Sequence, residues 1–447
     1  MTPSRRARAA ALLVALGLLS LGQAACSHDE PQGPNVLVIV TDDQRADTLA
    51  RMPQTLELVA RRGIRFRNAV VTTPLCCPSR ASIYSGKYAH NHGVWDNDNT
   101  TGLLDTSETV QSVLRREGYL TAHVDRYLNN WMDWTSEPPD FDLYAVQLEQ
   151  GAAWEPRYAL VNGERRFVTT YTTRWVGDMA TSFIRRFETE DDDRPWLTFV
   201  TTRAPHLPAT PAPRYKNADV CCWDPPPSVS ESLVDKPWVR DLTSARRDQT
   251  MSNRRRQLRS LMSVDDVVGR LVTVLDELNE LHDTLIIFTS DNGQMWGEHG
   301  LEGKRWPYDE SLRVPLALRW DGGGIAPGTV RDDVVANIDI APTIYDATGS
   351  SPTYTVDGVP LLSGARRRAI LIEYGGDPDR PDIPRYLGVW SAQEVFLRVL
   401  APDHHEFYAA DDRYQLENLY ASGAGPNPGP YLELIEAWRG CAGRACP

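Results

Sequence analysis

The sequence predicts an α/β fold, a large buried sheet flanked by helices, followed by a smaller domain of short strands and turns. Three observations carry that expectation. Asn35-Val36-Leu37-Val38-Ile39-Val40, Pro195-Trp196-Leu197-Thr198-Phe199-Val200 and Thr284-Leu285-Ile286-Ile287-Phe288-Thr289 are apolar, β-branched runs, as strands covered on both faces are. Helical patterns lie between them: in residues 254 to 281, Leu258, Leu261, Met262, Val267, Val268, Leu271, Val274, Leu275 and Leu278 recur at helical spacing and lead into the third run. After Gly349-Ser350-Ser351-Pro352 the composition shifts, which places a second, smaller domain from about 350 onward.

The chain begins with an export pattern. Arg5, Arg6 and Arg8 precede the apolar run Ala9 to Leu21, too short for a settled membrane helix, and Gly22-Gln23-Ala24-Ala25-Cys26 offers small residues to a peptidase. Cleavage before Cys26 leaves a cysteine that can carry a lipid anchor, and cleavage after Ala24 releases a soluble protein; the lipoprotein is the expectation. The domain expectations are a signal over 1–25, a tether over 26–34, a catalytic domain over 35–349 and a C-terminal domain over 350–447. No later segment reads as a membrane span.

With 447 residues, 41% of them hydrophobic, the chain can bury a large core. Its net charge of −13 offers no basic stripe for a phosphate backbone, so nucleic acid is excluded as a partner. An anionic substrate needs a local cationic pocket instead. Seven cysteines are too few for a disulfide scaffold, although Cys441 and Cys446 can close the C-terminal tail. Adjacent pairs, Cys76-Cys77 and Cys221-Cys222, lack the spacing that turns two thiolates toward one zinc ion.

Each apolar run ends in polar residues: Asp42-Asp43-Gln44 after the first, Arg203-Ala204-Pro205-His206 after the second, Asp291-Asn292-Gly293 after the third. Ligands bind at the carboxyl ends of strands in open α/β sheets, so the three clusters are candidates for one site. Asp42, Asp43 and Asp291 in one pocket repel one another unless a cation neutralises them, and with Asn292 the donors are all oxygen. Such a set favours calcium, or less readily magnesium, over zinc or copper. The segment Thr73-Pro74-Leu75-Cys76-Cys77-Pro78-Ser79-Arg80-Ala81-Ser82-Ile83-Tyr84-Ser85-Gly86-Lys87 places Pro78 in the first turn of a helix. Cys76 then sits at a helix N-terminus that favours an anion, with Arg80 one turn on. A cysteine phosphatase needs a longer cysteine-to-arginine spacing.

Cys76-Cys77-Pro78-Ser79-Arg80, followed by a small-residue helix and Gly86-Lys87, resembles the formylglycine-dependent sulfatases. Asp42-Asp43, Ala204-Pro205-His206-Leu207-Pro208, Asp291-Asn292-Gly293 and Gly303-Lys304 recur in that family's order, as do Asp339-Ile340-Ala341-Pro342-Thr343, Glu406-Phe407-Tyr408 and Leu416-Glu417-Asn418-Leu419. The resemblance covers nearly all of the mature chain and implies an alkaline-phosphatase-like sandwich with a large mixed sheet and a smaller C-terminal α+β domain carrying an antiparallel sheet. It implies that a maturation enzyme oxidises Cys76 to formylglycine, whose hydrate attacks sulfur, while Cys77 is the variable position. It further implies that Asp42, Asp43, Asp291 and Asn292, with the modified Cys76, hold calcium, and that Arg80, His206 and Lys304 bind the ester. His206 and Lys304 both remain open as proton donor to the leaving oxygen.

Asp125-Arg126 stands where that family has Gly-Lys, and Leu128 where many relatives have histidine. Arg126 can bind sulfate but cannot readily give up a proton. Only four lysines, Lys87, Lys216, Lys236 and Lys304, occur among 47 basic residues, which makes Lys304 notable. His90 and His92 are candidates for the cleft wall, and Trp95, Trp131 and Trp306 for stacking on a sugar. The run Cys76 to Val94 is similar to glucosamine-6-sulfatases, with arylsulfatases the next resemblance, so a sulfated aminosugar glycan is the expected substrate. The competing functions are a phosphonate or phosphate ester hydrolase on the same fold and a non-catalytic binder of sulfated polymers.

Overall fold

The three apolar runs become neighbouring parallel strands, with the first in the middle. The computed structural model describes residues 33–129, 137–147, 156–190, 193–239 and 241–447. The expected signal over 1–25, Cys26, most of the tether, Trp131 and, from the acidic run Glu188 to Asp193, Asp191 and Asp192 lie outside the described residues.

In chain order the large sheet takes β1 (Asn35–Asp42), β2 (Ile64–Val70), β3 (Leu120–Asp125), β4 (Leu143–Gln147), β5 (Arg157–Val161), β6 (Glu164–Val168), β7 (Trp196–Pro205) and β8 (Thr284–Ser290). A two-stranded ribbon, β9 (Met295–Trp296) with β10 (Glu302–Gly303), precedes its last members, β11 (Leu316–Arg319) and β12 (Thr329–Ala336). The spatial order is β12-β2-β11-β8-β1-β7-β3-β4-β5-β6. Strands β8, β1, β7, β3 and β4 run parallel; β11 lies antiparallel between β8 and β2, and β5 and β6 fold back at the other edge.

Every residue of β1 is buried because both faces are covered. Side chains alternate across a strand, so Val36, Val38 and Val40 enter one core while Leu37 and Ile39 enter another. The first core packs against α1 (Cys76–Ser85), the second against α3 (Thr172–Glu190) and α4 (Ser244–Leu278); α2 (Val110–Arg116) lies on the α1 side. Each fully buried aliphatic side chain contributes roughly 1.5–3 kcal/mol, which makes the centre of the sheet a rigid base for what its strand ends carry. Helix α4 starts at Ser244, ahead of residue 254 where the apolar spacing becomes visible. Its first turns are polar and mostly exposed, so they carry no apolar stripe, and the Thr243 side chain caps them by accepting from the Arg246 N–H.

Helix α5 (Ile340–Thr348) ends at Gly349 in the left-handed region, φ 69°. Strands β13 (Ala369–Tyr374), β14 (Tyr386–Ser391), β15 (Glu394–Leu400) and β16 (Asp403–Ala409) then form an antiparallel meander, followed by α6 (Gly429–Arg439). Ile370, Ile372, Val389 and Phe396 from this meander join the same core as Val36 and Ile83. Cys441 is bonded to Cys446, closing the tail as expected, and Cys221 to Cys222; Cys76 and Cys77 are free and buried.

Candidate active site

The carboxyl ends of β1, β7 and β8 lie side by side because Thr41 pairs with both Thr202 and Ser290. They bring Asp42-Asp43, His206 and Asp291-Asn292 to one edge of the sheet, as their positions after the apolar runs predict. The chain turns sharply there: Asp43 has φ 70°, its N–H donates to Asp291 Oδ1 at 3.1 Å, and the Asp291 N–H donates to the Thr41 carbonyl at 3.0 Å. Gly293 is required for close approach, since a Cβ there would lie 2.1 Å from the Glu310 carbonyl oxygen.

Helix α1 begins at Cys76, and all ten of its residues are buried. The Cys76 Sγ lies 2.7 Å from the Lys304 ammonium and 3.5 Å from Asp42 Oδ1. Lys304 also donates to Asp43 Oδ1 at 2.6 Å. Arg80 returns one turn later to the same point, where Nη2 donates to Asp42 Oδ2 at 2.8 Å and to Asp291 Oδ2 at 2.6 Å, while Nη1 reaches the Tyr127 carbonyl at 3.2 Å. His206 Nδ1 faces the Leu207 carbonyl at 2.6 Å and so must donate there, which leaves Nε2 toward the site, 3.8 Å from Asp43 Oδ2.

The charges do not close. Three buried carboxylates, Asp42, Asp43 and Asp291, face two buried cations, Arg80 and Lys304, and one negative charge is left uncompensated. Burial would raise the Asp42 carboxyl, yet His206, Arg80, Lys304 and Arg126 hold it far below the usual range. Burial and then the Asp42 charge push Asp291 up to about 7. Burial and the neighbouring carboxylates also raise the Cys76 thiol well above its ordinary range, against the pull of Lys304. Burial opposes the Lys304 charge, but Asp43 and its neighbours raise the ammonium and hold its proton. The His206 imidazole is shifted down, chiefly by burial.

A cation fits these residues. Ligand atoms of Asp42, Cys76 and Asp291 lie within 4.8 Å of one another, as do those of Asp42, Asp43 and His206. Asn292 donates through Nδ2 to Asp43 Oδ1 at 2.7 Å, while its buried Oδ1 has no hydrogen-bond partner. An orphaned carbonyl beside three carboxylates makes a hard, all-oxygen donor set.

A cavity of about 280 Å³ opens over this group, with Asp42, Cys76, Arg126, His206 and Lys304 in its wall. Arg126 therefore joins the other expected residues. Asp125 before it takes φ 70°, a conformation that glycine adopts freely and other residues rarely do. Leu128 is buried and lines nothing there. Residues that the motifs did not single out complete the wall: Asn97, Asp98, Asn129, Arg305 and Asp379. Cys77 points away and ties two of their loops, its N–H donating to Asn97 Oδ1 at 3.0 Å and its sulfur accepting from the Asn129 N–H at 3.0 Å.

His90 and His92 do not line the cavity. The left-handed Gly86 and a one-turn helix over Ala89–His92 direct His90 to Glu373 and His92 to Ser82 Oγ. Trp306 is buried against Trp238 and donates to the Glu302 carbonyl, and Trp95 lies beside Gly375. Among the described residues no phenylalanine, tyrosine or tryptophan lines the cavity over Cys76.

This chain belongs to the sulfatase family. It matches that family over residues 34–350, and a second family, described as N-sulphoglucosamine sulphohydrolase, C-terminal, over residues 297–424. It is 32% identical over 380 residues to the N-acetylglucosamine-6-sulfatase of Homo sapiens, covering 77% of this chain and 68% of that protein. It is 31% identical over 360 residues to the extracellular sulfatase SULF-1 homolog of Drosophila melanogaster, covering 75% of this chain. The chain spans 32% of the length of the Drosophila protein and 48% of its Caenorhabditis elegans counterpart. The solved structure of BT4656 in complex with its substrate D-glucosamine-2-N,6-O-disulfate has the same fold, with a TM-score of 0.77 at 22% identity over 91% of this chain and 96% of that one.

Proposed function

We propose that this protein is an exported sulfuric ester hydrolase that releases sulfate from a sugar, with a 6-sulfated glucosamine-type glycan as its substrate. The observation that carries the reading is the convergence on Cys76: the N-terminus of a buried helix holds it against Lys304 and Asp42, with Arg80 behind it. We assign Asp42, Asp43, Asp291, Asn292 and the modified Cys76 as the residues that hold a calcium ion. When bound, that ion draws electron density from the sulfuryl oxygens. Cys76 oxidised to formylglycine by a maturation enzyme supplies, as its hydrate, the hydroxyl nucleophile.

The other side chains bind and move protons. Lys304, Arg80 and Arg126 supply positive charge for the sulfuryl oxygens, where fixed cations stabilise the transition state. Two groups are placed to give a proton to the leaving oxygen: the Lys304 ammonium, which Asp43 keeps protonated, and His206, whose Nε2 must first take a proton because Nδ1–H is given to the Leu207 carbonyl and burial shifts the imidazole down. Beside His206 the wall offers carboxylates, amides and guanidiniums and no phenyl or indole ring, which suits a polyhydroxylated leaving group better than an aryl one. The 6-sulfatase relatives support the same choice. Export follows from the leader over 1–25, with a lipid anchor at Cys26; the extracellular relatives support the first part. We keep 35–349 as the catalytic domain and 350–447 as the C-terminal one.

The test is sulfate release by protein co-expressed with a formylglycine-generating enzyme, comparing N-acetylglucosamine 6-O-sulfate, its 6-phosphate and 4-nitrophenyl sulfate. The sugar sulfate should be cleaved fastest. Faster phosphate release would make the protein a phosphoester hydrolase, and binding without release would make it a lectin-like binder.

A further inference from the structure

Lys304 stands between two residues in the left-handed region, Gly303 at φ 80° and Arg305 at φ 81°. Glycine takes that conformation freely, whereas a residue with a Cβ keeps it only where its surroundings impose it. Contacts at both ends of the Arg305 backbone and at its side chain do so. Its N–H donates to the Pro74 carbonyl at 3.0 Å, on the approach to Cys76, and its carbonyl accepts from the Tyr386 hydroxyl of β14 at 3.1 Å. Its guanidinium is paired with Asp377, Nε at 2.7 Å and Nη2 at 2.6 Å from Oδ2. Asp377 follows β13, and its side chain is only 2% exposed. It is itself fixed, because its Oδ1 accepts from the Asp379 N–H at 2.9 Å and its carbonyl accepts from the Arg380 N–H at 2.9 Å.

A charge-assisted pair to a buried, immobile carboxylate is the strongest of these ties. We propose that Asp377 is a positioning residue: acting through Arg305, it holds the left-handed turn after Lys304 and so keeps the ammonium 2.7 Å from the Cys76 sulfur and 2.6 Å from Asp43 Oδ1. The proposal rests on the sulfatase reading of the Cys76 cavity. The peptide that joins Lys304 to Arg305 carries the N–H given to Pro74, so relaxation of Arg305 moves the lysine and the approach to Cys76 together. A segment that supplies no catalytic group thereby sets the geometry of the site. Arg305 lines the cavity as well, so the turn and the wall are held by the same side chain.

The experiment removes the tie with and without the strain. Arg305→Ala and Arg305→Gly lose the same side chain, but only glycine keeps a positive φ without help. On mature enzyme with N-acetylglucosamine 6-O-sulfate, Arg305→Ala and Asp377→Ala should each lower kcat/KM roughly 10- to 100-fold, as a displaced catalytic group does. Asp377→Ala should cost nothing further in Arg305→Ala, because the two act as one unit. Arg305→Gly should be several-fold faster than Arg305→Ala. Asp377→Asn keeps the shape and loses the charge, and it replaces Asp377→Ala if that variant does not melt cooperatively. Arg305→Gly no faster than Arg305→Ala, or an Asp377 variant with full activity, overturns the proposal, since a lost substrate contact or plain packing gains nothing from glycine. The same sugar sulfate is titrated calorimetrically into Cys76→Ser protein carrying each Arg305 variant, so that the hold of Lys304 on the ester is read without turnover. If mature wild-type protein releases no sulfate, the hydrolase reading fails; tighter binding by Arg305→Gly than by Arg305→Ala then still upholds the positioning role, and equal binding rejects it.

Discussion

Arg80 reaches two carboxylates and a backbone carbonyl from one buried position, so a single guanidinium orients Asp42, Asp291 and the chain at Tyr127. Arg80→Lys keeps the charge but loses the planar fork that makes these contacts together. It should lower kcat roughly 10²- to 10³-fold, the cost of losing one preorganised donor, with a cooperative melt retained. A variant within a few-fold of wild type would mean that Arg80 only balances charge. At this scale the motifs were informative because their residues sit next to strand ends or inside one helical turn. His90 and His92 were misleading for a related reason: they follow the motif closely in sequence, but the turn at Gly86 sends them to Glu373 and Ser82. Asp379 carries no local pattern that separates it from ordinary surface charge.

The site stands on the ends of buried elements, since β1, β7, β8 and α1 each bury nearly their whole length. That burial is why the three runs could be read: a strand covered on both faces must be apolar throughout. Strand β11 is short and antiparallel, and its place between β8 and β2 depends on partners far away in sequence, which no local spacing reveals. The start of α4 was missed because its first turns are polar. Gly293 tests how tightly these elements fix the site. Gly293→Ala forces a Cβ against the Glu310 carbonyl and must displace Asp291-Asn292. A shift near 1 Å should cost about 100-fold in sulfate release, measured with folding checked by a thermal melt. Activity close to wild type would show that the Asp291-Asn292 turn tolerates movement.

Across the whole molecule the meander and the large sheet share one core, and both contribute to the cavity: Asp379 follows β13, whereas Cys76 opens α1. Between them the His90–Glu373 pair, at 3.0 Å, joins the short helix after α1 to β13. Burial opposes the His90 charge, but Glu373 and then Asp357 raise its pKa above the ordinary 6.5. A raised folded-state value means that protonated His90 adds stability fully present below pH 6.5 and lost as pH rises through the folded value. His90→Gln should therefore lower Tm at about pH 6 and approach wild type by about pH 9. A gap that stays constant with pH would assign the pair to packing alone.

The Cys76 thiol is held in its protonated form by burial and nearby carboxylates and is poorly suited to act as a thiolate, so catalysis needs its oxidised form. Peptide mass spectrometry across Asn68 to Arg80, on protein made with a formylglycine-generating enzyme and assayed in parallel for sulfate release, tests it most directly. The expected result is an aldehyde in place of the thiol, in a fraction that tracks specific activity across preparations, and no release from Cys76→Ala. An unmodified cysteine in fully active protein would contradict it.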